Sequence, residues 1–159
     1  MLFRSVECGV FRGFSSAVVA QYLDFATIPR TWYLYDTFTG IPDDQLAPGM
    51  QNPGVFRAQN LYEECVKRFA PYPNIRVIQG SVPEILKAGA PEKVAFLHLD
   101  MNSADAEDGA LRFFYDRLAP GAMVVFDDYG WRAYREQKLV ADEFMEEGGG
   151  QIMELPTGQ

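Results

Sequence analysis

Short apolar runs alternate with longer stretches of helical periodicity along this chain. Strand-like runs fall at residues 2–6, 31–35, 75–78, 94–99 and 122–126, and helical patterns at 15–25, about 60–69, 82–86, 107–118 and 133–147. Short β-branched or aromatic runs separated by helices predict parallel strands with helical crossovers, hence a doubly wound α/β sheet. Pro29, Pro71, Pro73, Pro91 and Pro120 are expected just before strands, where they end the preceding helices. Two stretches break the pattern. From Thr37 to Gln59 the chain is rich in Gly, Pro, Asp and Gln with little periodicity, which predicts a lid or binding loop. Near the far end, residues 152–155 read as a strand and 156–159 as a turn. A last antiparallel strand is expected beyond them, so both ends read as cut from a single core domain over residues 1–159.

In open α/β sheets ligands bind beyond the carboxyl ends of the strands. The predicted strands end in Glu7-Cys8-Gly9, Asp36, Gly80-Ser81, Asp100 and Asp127-Asp128, so four of five carry a carboxylate there. Any one of them alone reads equally well as a solubilising cap. Asp36 stands 23 residues past Gly13, where a carboxylate accepts hydrogen bonds from ribose hydroxyls in nucleoside-binding sheets. Ser81 either borders an adenine or caps the short helix that follows.

The first strand runs into Glu7-Cys8-Gly9-Val10-Phe11-Arg12-Gly13-Phe14-Ser15-Ser16. A dinucleotide fingerprint would need glycines where Phe11 and Phe14 stand, and a P-loop would need Gly-Lys-Ser/Thr where Phe14-Ser15-Ser16 stand. What remains, E-x-G-x-x-x-G, resembles the first motif of class I S-adenosylmethionine-dependent methyltransferases. That resemblance implies a cofactor against Glu7, Gly9, Phe11, Gly13 and Ser15, and a bulky residue at Gly9 is expected to fill the ligand's space.

The resemblance narrows further along the chain. Leu97-His98-Leu99-Asp100, Ala110-Leu111, Pro120-Gly121 and Phe126-Asp127-Asp128-Tyr129-Gly130 are similar to the macrocin O-methyltransferase family, as is Tyr35-Asp36-Thr37-Phe38-Thr39-Gly40-Ile41-Pro42. The family implies a Rossmann-like methyltransferase fold with a further strand and an N-terminal lid. It also implies S-adenosylmethionine as donor, Mg²⁺ beside the transferred methyl, and hydroxyl acceptors on sugar-like or natural-product small molecules. Asp100, Asp127 and Asp128 end strands expected to be adjacent, and their hard oxygen donors suit Mg²⁺. Asp100 and Asn102 are the catalytic candidates. Many family members carry an aspartate, a candidate general base, where Asn102 stands, and an asparagine takes no proton at neutral pH. Asp105, Glu107 and Asp108 are expected to open a helix, where carboxylates suit the N-terminal dipole. His98, the lone histidine, shares Asp100's face and is expected to pack or support rather than act as base. Trp131 and Tyr134 either wall an acceptor pocket or pack a helix.

Charge and cysteine usage limit the alternatives. The formal net charge is −8, and residues 1–79 carry seven acidic and seven basic side chains, so the whole excess lies in the second half. A nucleic-acid partner would favour the opposite sign. No segment has the apolar length of a membrane span. Cys8 and Cys65 lack metal-ligand spacing and read as reduced thiols in a cytoplasmic protein. Two other readings stay open: a non-catalytic nucleoside-binding remnant and an NAD-dependent oxidoreductase.

Overall fold

The computed structural model describes residues 4–47, 49–148 and 150–157. Leu2 and Phe3 of the first apolar run, Pro48 of the irregular loop and Gly158-Gln159 of the terminal turn lie outside the described residues. Five strands form one sheet: β1 (Arg4–Cys8), β2 (Trp32–Asp36), β3 (Ile75–Gln79), β4 (Val94–Leu99) and β5 (Leu118–Phe126). Their spatial order is β3-β2-β1-β4-β5, with every pairing parallel. The chain steps outward from β1 to β3 and then returns to β4 on the other side. The switch point, where such sheets open a crevice, therefore lies between β1 and β4.

Four helices cover the two faces: α1 (Phe14–Tyr22), α2 (Leu61–Phe69), α3 (Ala104–Phe114) and α4 (Arg135–Gly148). Strand side chains alternate between faces, and the core divides accordingly. Val6, Cys8, Tyr33, Tyr35, Leu97 and Leu99 pack with Leu111 and Phe114 of α3 and Phe144 of α4. Trp32, Leu34 and Val10 pack on the opposite face with Ala20 of α1 and Leu61, Cys65 and Phe69 of α2. Both cysteines are free and buried, and among the described residues no helix is long and apolar enough to cross a membrane.

Four expectations change in detail. The helical pattern at 82–86 folds as a 3-10 turn, Glu84–Ala88. The next helix starts at Ala104, three residues early, because the Ser103 hydroxyl accepts the Ala106 N–H and caps it. Pro120 lies inside β5, not before it: Val94 pairs with Leu118 but Phe96 with Met123, so extra residues bulge out of β5 around Pro120 and Gly121. That strand ends the sheet as described, and an edge strand tolerates a proline's missing N–H. Residues 152–155 form no strand. They have no sheet partner among the described residues, and an apolar pattern alone gives a strand nothing to pair with.

Candidate active site

The strand ends are aligned by hydrogen bonds that continue the ladder one residue further. Gly9 N–H donates to Tyr35 O, Gly80 to Asp36 O, Asp100 to Cys8 O and Asp127 to Leu99 O, all at 2.9–3.0 Å. Gly9 has φ +90°, and a Cβ there would lie 1.8 Å from the Asp100 carbonyl oxygen. The glycine requirement therefore comes from the protein itself: β1 and β4 converge so closely that no side chain fits between them. The expectation that a ligand fills this space is corrected on that point, although Gly9 does line the cleft. Gly13 also serves packing, since a Cβ there would meet the Phe69 ring at 2.6 Å.

Asp36 holds the loop after β1. One carboxylate oxygen accepts from Val10 N at 2.8 Å and Phe11 N at 2.7 Å, and the other accepts from Phe38 N at 2.6 Å. Phe11 is thereby kept at φ +49°, a left-handed conformation uncommon for a bulky residue. Glu7 is placed differently from the cofactor contact expected of it. It is buried beneath the loop, where Ser15 and Ser16 at the start of α1 donate to its two oxygens.

His98 pairs with Glu7 in the β1–β4 register, and its Nδ1 lies 3.6 Å from Glu7 Oε1. Its Nε2 lies 4.0 Å from Asp127 Oδ1. His98, Asp100 and Asp127 form one group whose candidate ligand atoms all lie within 4.8 Å of one another. Asp128 is not in this group. Val125 pairs with His98, and Asp127 continues that ladder for one residue before the chain turns over residues 127–130, which carries Asp128 toward α4. There Asp128 meets Gln137 of α4, whose Nε2 also donates to the buried Glu107 of α3 at 3.0 Å. The second Asp128 oxygen is buried without a hydrogen-bond partner.

These carboxylates crowd one another. Burial, then the Asp127 charge, pushes Asp100 up to about 8. Burial raises Glu107 to about 7, and burial followed by Asp127 raises Asp128 to about 6. Burial opposes the charged form of His98, but Glu7, Asp100 and Asp127 outweigh it and lift its pKa. Glu107 does open α3, as expected, yet it faces inward rather than toward solvent.

A cleft of about 780 Å³, part of it open to solvent, lies over these ends. Gly9, Phe11, Asp36, Asp100 and Asn102 line it. Glu7, Gly13, Ser15, Ser81, Asp127 and Asp128 do not. Gln45 and Phe56 reach the cleft from the irregular loop expected to be a lid or binding loop, although neither was singled out within it. Gln45 Nε2 donates to Val82 O at 2.8 Å and Ser81 Oγ at 3.2 Å, while the Gln45 main-chain carbonyl accepts from Ser103 Oγ at 2.8 Å. The loop is thus tied down on both sides, and Ser81 serves as part of that tie. Trp131 is exposed, and the fields of Asp128 and Asp100, behind burial as the main cause, raise Tyr134. That puts Tyr134 on the acidic side of the site.

The donor set suits a divalent cation. Two carboxylates and an imidazole converge, one carboxylate is driven toward its neutral form by burial and then by the neighbouring Asp127 charge, and a cation would offset both.

Comparisons with known proteins agree with this architecture. The chain is 30% identical over 149 residues to the 8-demethyl-8-(2,3-dimethoxy-α-L-rhamnosyl)-tetracenomycin-C 4'-O-methyltransferase of Streptomyces olivaceus, covering 82% of this chain and 54% of that protein. It is 26% identical over 170 residues to the mycinamicin III 3''-O-methyltransferase of Micromonospora griseorubida, covering 89% and 63%. The chain thus spans between half and two thirds of the length of these relatives. Among solved structures, the calicheamicin methyltransferase CalS11 superposes with a TM-score of 0.75 at 20% identity, over 97% of this chain and 68% of that one. This likeness establishes the Rossmann-like methyltransferase fold. A sequence model of the macrocin O-methyltransferase (TylF) family matches residues 4–149, nearly the whole chain, and the chain belongs to that family.

Proposed function

We propose that this chain is the core domain of an S-adenosylmethionine-dependent, metal-assisted O-methyltransferase acting on a hydroxyl of a sugar-bearing small molecule. The observation that carries the reading is the cleft itself, where the loop held by Asp36 meets Asp100 and Asn102 across the switch point. The named activities of the two relatives support O-methylation of glycosylated natural products. The acidic balance favours a small-molecule acceptor over nucleic acid or a membrane surface, and the reduced thiols suit the cytoplasm.

In this reading S-adenosylmethionine lies over Gly9 and Phe11, with its ribose toward Asp36. Methyl transfer from sulfur to oxygen needs no covalent enzyme intermediate, so holding oxygen, methyl and sulfur in line supplies much of the rate. Asp100 and Asp127 would hold a divalent cation, whose chemistry is to lower the pKa of the acceptor hydroxyl and orient it. Asn102, in the cleft beside Asp100, orients the acceptor through its amide and carries no proton away. Phe11, Ile41 and Phe56 provide apolar walls that limit water over the reacting groups.

Calorimetric titration with S-adenosylhomocysteine, and separately with NADH, tests the cofactor. Binding of the former and not the latter is expected, and the reverse would replace the reading with an oxidoreductase. Transfer of labelled methyl groups to rhamnosylated polyketides by the full-length protein tests the acceptor. Intact S-adenosylhomocysteine binding without any such transfer would refute that acceptor class.

A further inference from the structure

We propose that the Tyr35 hydroxyl is a hydrogen-bond donor kept for the adenine ring of the cofactor, so that this strand residue reads the base. The proposal rests on the S-adenosylmethionine reading above and adds a contact to it.

Among the described residues four buried side-chain polar atoms have no hydrogen-bond partner: Trp32 Nε1, Asn74 Oδ1, Asp128 Oδ2 and the Tyr35 hydroxyl oxygen. Buried polar groups are nearly always bonded, and a buried tyrosine hydroxyl usually finds a partner, so each exception needs a reason. Trp32 opens β2, at the end of the sheet away from the cleft. Asn74 spends its amide nitrogen on the carbonyls of Phe25, Ile28 and Arg30, and Asp128 turns toward α4. Of these four residues only Tyr35 lines the cleft.

Its place is fixed by the fold rather than by its hydroxyl. Tyr35 is paired on both sides of β2, with Cys8 of β1 and Ile78 of β3, and is 1% exposed. The Tyr33 ring lies nearly parallel to it, with 11° between planes and 6.3 Å between centroids, which holds the ring against swinging out to water. Its core neighbours, Val82 and Leu86 among them, carry no side-chain acceptor. The Gln45 amide nitrogen is already engaged by Val82 O and Ser81 Oγ. Burial, followed by the fields of Cys8 and Tyr33, raises the pKa of the phenol, so the group stays protonated and donates.

What meets the hydroxyl follows from the chemistry of the cleft walls. Asp36 and Asp100 are the charged residues lining it. The sulfonium end of the cofactor, which carries the methyl, must face Asp100 and Asn102, where the acceptor is placed above, and the ribose faces Asp36. The adenine is left with the slot between Ile41 of the irregular loop, Val82 and Ala106, apolar side chains that suit a flat heterocycle. Adenine ring nitrogens accept hydrogen bonds, and Tyr35 brings to this slot a donor without other employment. A base lacking an acceptor at that position leaves the hydroxyl unpaired, which is the arrangement that discriminates most sharply between ligands.

Calorimetric titration of the full-length protein and of Tyr35→Phe tests the contact. The probes are S-adenosylhomocysteine and analogues that each replace one adenine ring nitrogen with CH. Tyr35→Phe is expected to weaken S-adenosylhomocysteine binding by about 5- to 50-fold. One analogue should bind the wild-type protein more weakly by a similar factor, and Tyr35→Phe should bind that analogue no worse than S-adenosylhomocysteine itself. Urea unfolding without ligand gives a readout that a structural role would move the other way. Removing an unpaired hydroxyl should leave the midpoint unchanged or raise it. Unchanged affinity in Tyr35→Phe, analogue losses that are the same in both proteins, or a lowered urea midpoint would each overturn the assignment. Wild-type protein that binds no S-adenosylhomocysteine would instead overturn the cofactor reading, and the role of Tyr35 with it.

Discussion

Replacing Gly9 with alanine tests how the site is built. The added Cβ would stand 1.8 Å from the Asp100 carbonyl oxygen, 2.4 Å from its carbon and 3.0 Å from Met101 N, all of them backbone atoms that cannot rotate away. Restoring ordinary contact needs β1 and β4 to part by more than about 1 Å, an overpacking cost of roughly 1–3 kcal/mol. The positive φ adds about 1–2 kcal/mol for a residue with a side chain. The hydrogen bonds from Asp100 N to Cys8 O and from Gly9 N to Tyr35 O are strained in the same movement, at about 1 kcal/mol each if lost. The expected loss is about 3–5 kcal/mol, a large part of a domain's total stability. Urea denaturation measures it, and Gly121→Ala is the control: φ is +76° there, but nothing lies within 4 Å of the new Cβ. The control should show the conformational cost alone. S-adenosylhomocysteine affinity should fall in Gly9→Ala because Asp100 and Phe11 move with the backbone. A loss no greater than that of Gly121→Ala would refute the claim that close strand approach is what requires this glycine.

Three further outcomes are expected. Asp36→Asn leaves at least one of the three backbone donors facing an amide NH₂; about 3 kcal/mol of stability and at least tenfold in S-adenosylhomocysteine affinity should be lost, and unchanged affinity would detach Asp36 from the cofactor. Glu107 has its pKa raised to about 7 by burial, so the folded state holds its proton more tightly than the unfolded chain and stability falls as pH rises from about 4.5 to 7, by up to about 3 kcal/mol. Glu107→Gln keeps an acceptor for Gln137 and should flatten that part of the curve in cation-free buffer, and identical pH profiles by thermal unfolding would exclude the effect. Gln45→Ala removes the ties to Val82 and Ser81 and should speed amide exchange across residues 43–57 with little change in melting temperature; unaltered exchange would show that the loop is anchored elsewhere.

Much of this protein was legible in the chain because local rules carry it. The period of apolar residues located five strands and the helices between them, and carboxylates at four strand ends marked the working edge of the sheet. The family resemblance resided in short contiguous motifs, which survive being read one at a time. What tertiary structure decided is where each of those side chains points and what it meets. Gly9 reads as a residue kept small for the ligand until β4 is laid beside β1 and its carbonyl is found in the space. Asp36 reads only as a ribose acceptor, and the fold adds a second duty, because the loop folds back and places three N–H groups on it. Asp127 and Asp128 are neighbours in sequence, and both stand in the turn after β5, where no strand period assigns them a face. Only the packing of α3 and α4 on one face and of Glu7 and His98 on the other shows that one joins a cation cluster and the other a buried amide network. Residues 152–155 carry a strand's pattern and form none, since a strand needs a partner that no local pattern supplies. Periodicity and motif are properties of neighbours along the chain, whereas a site is made by residues that only the sheet order brings together.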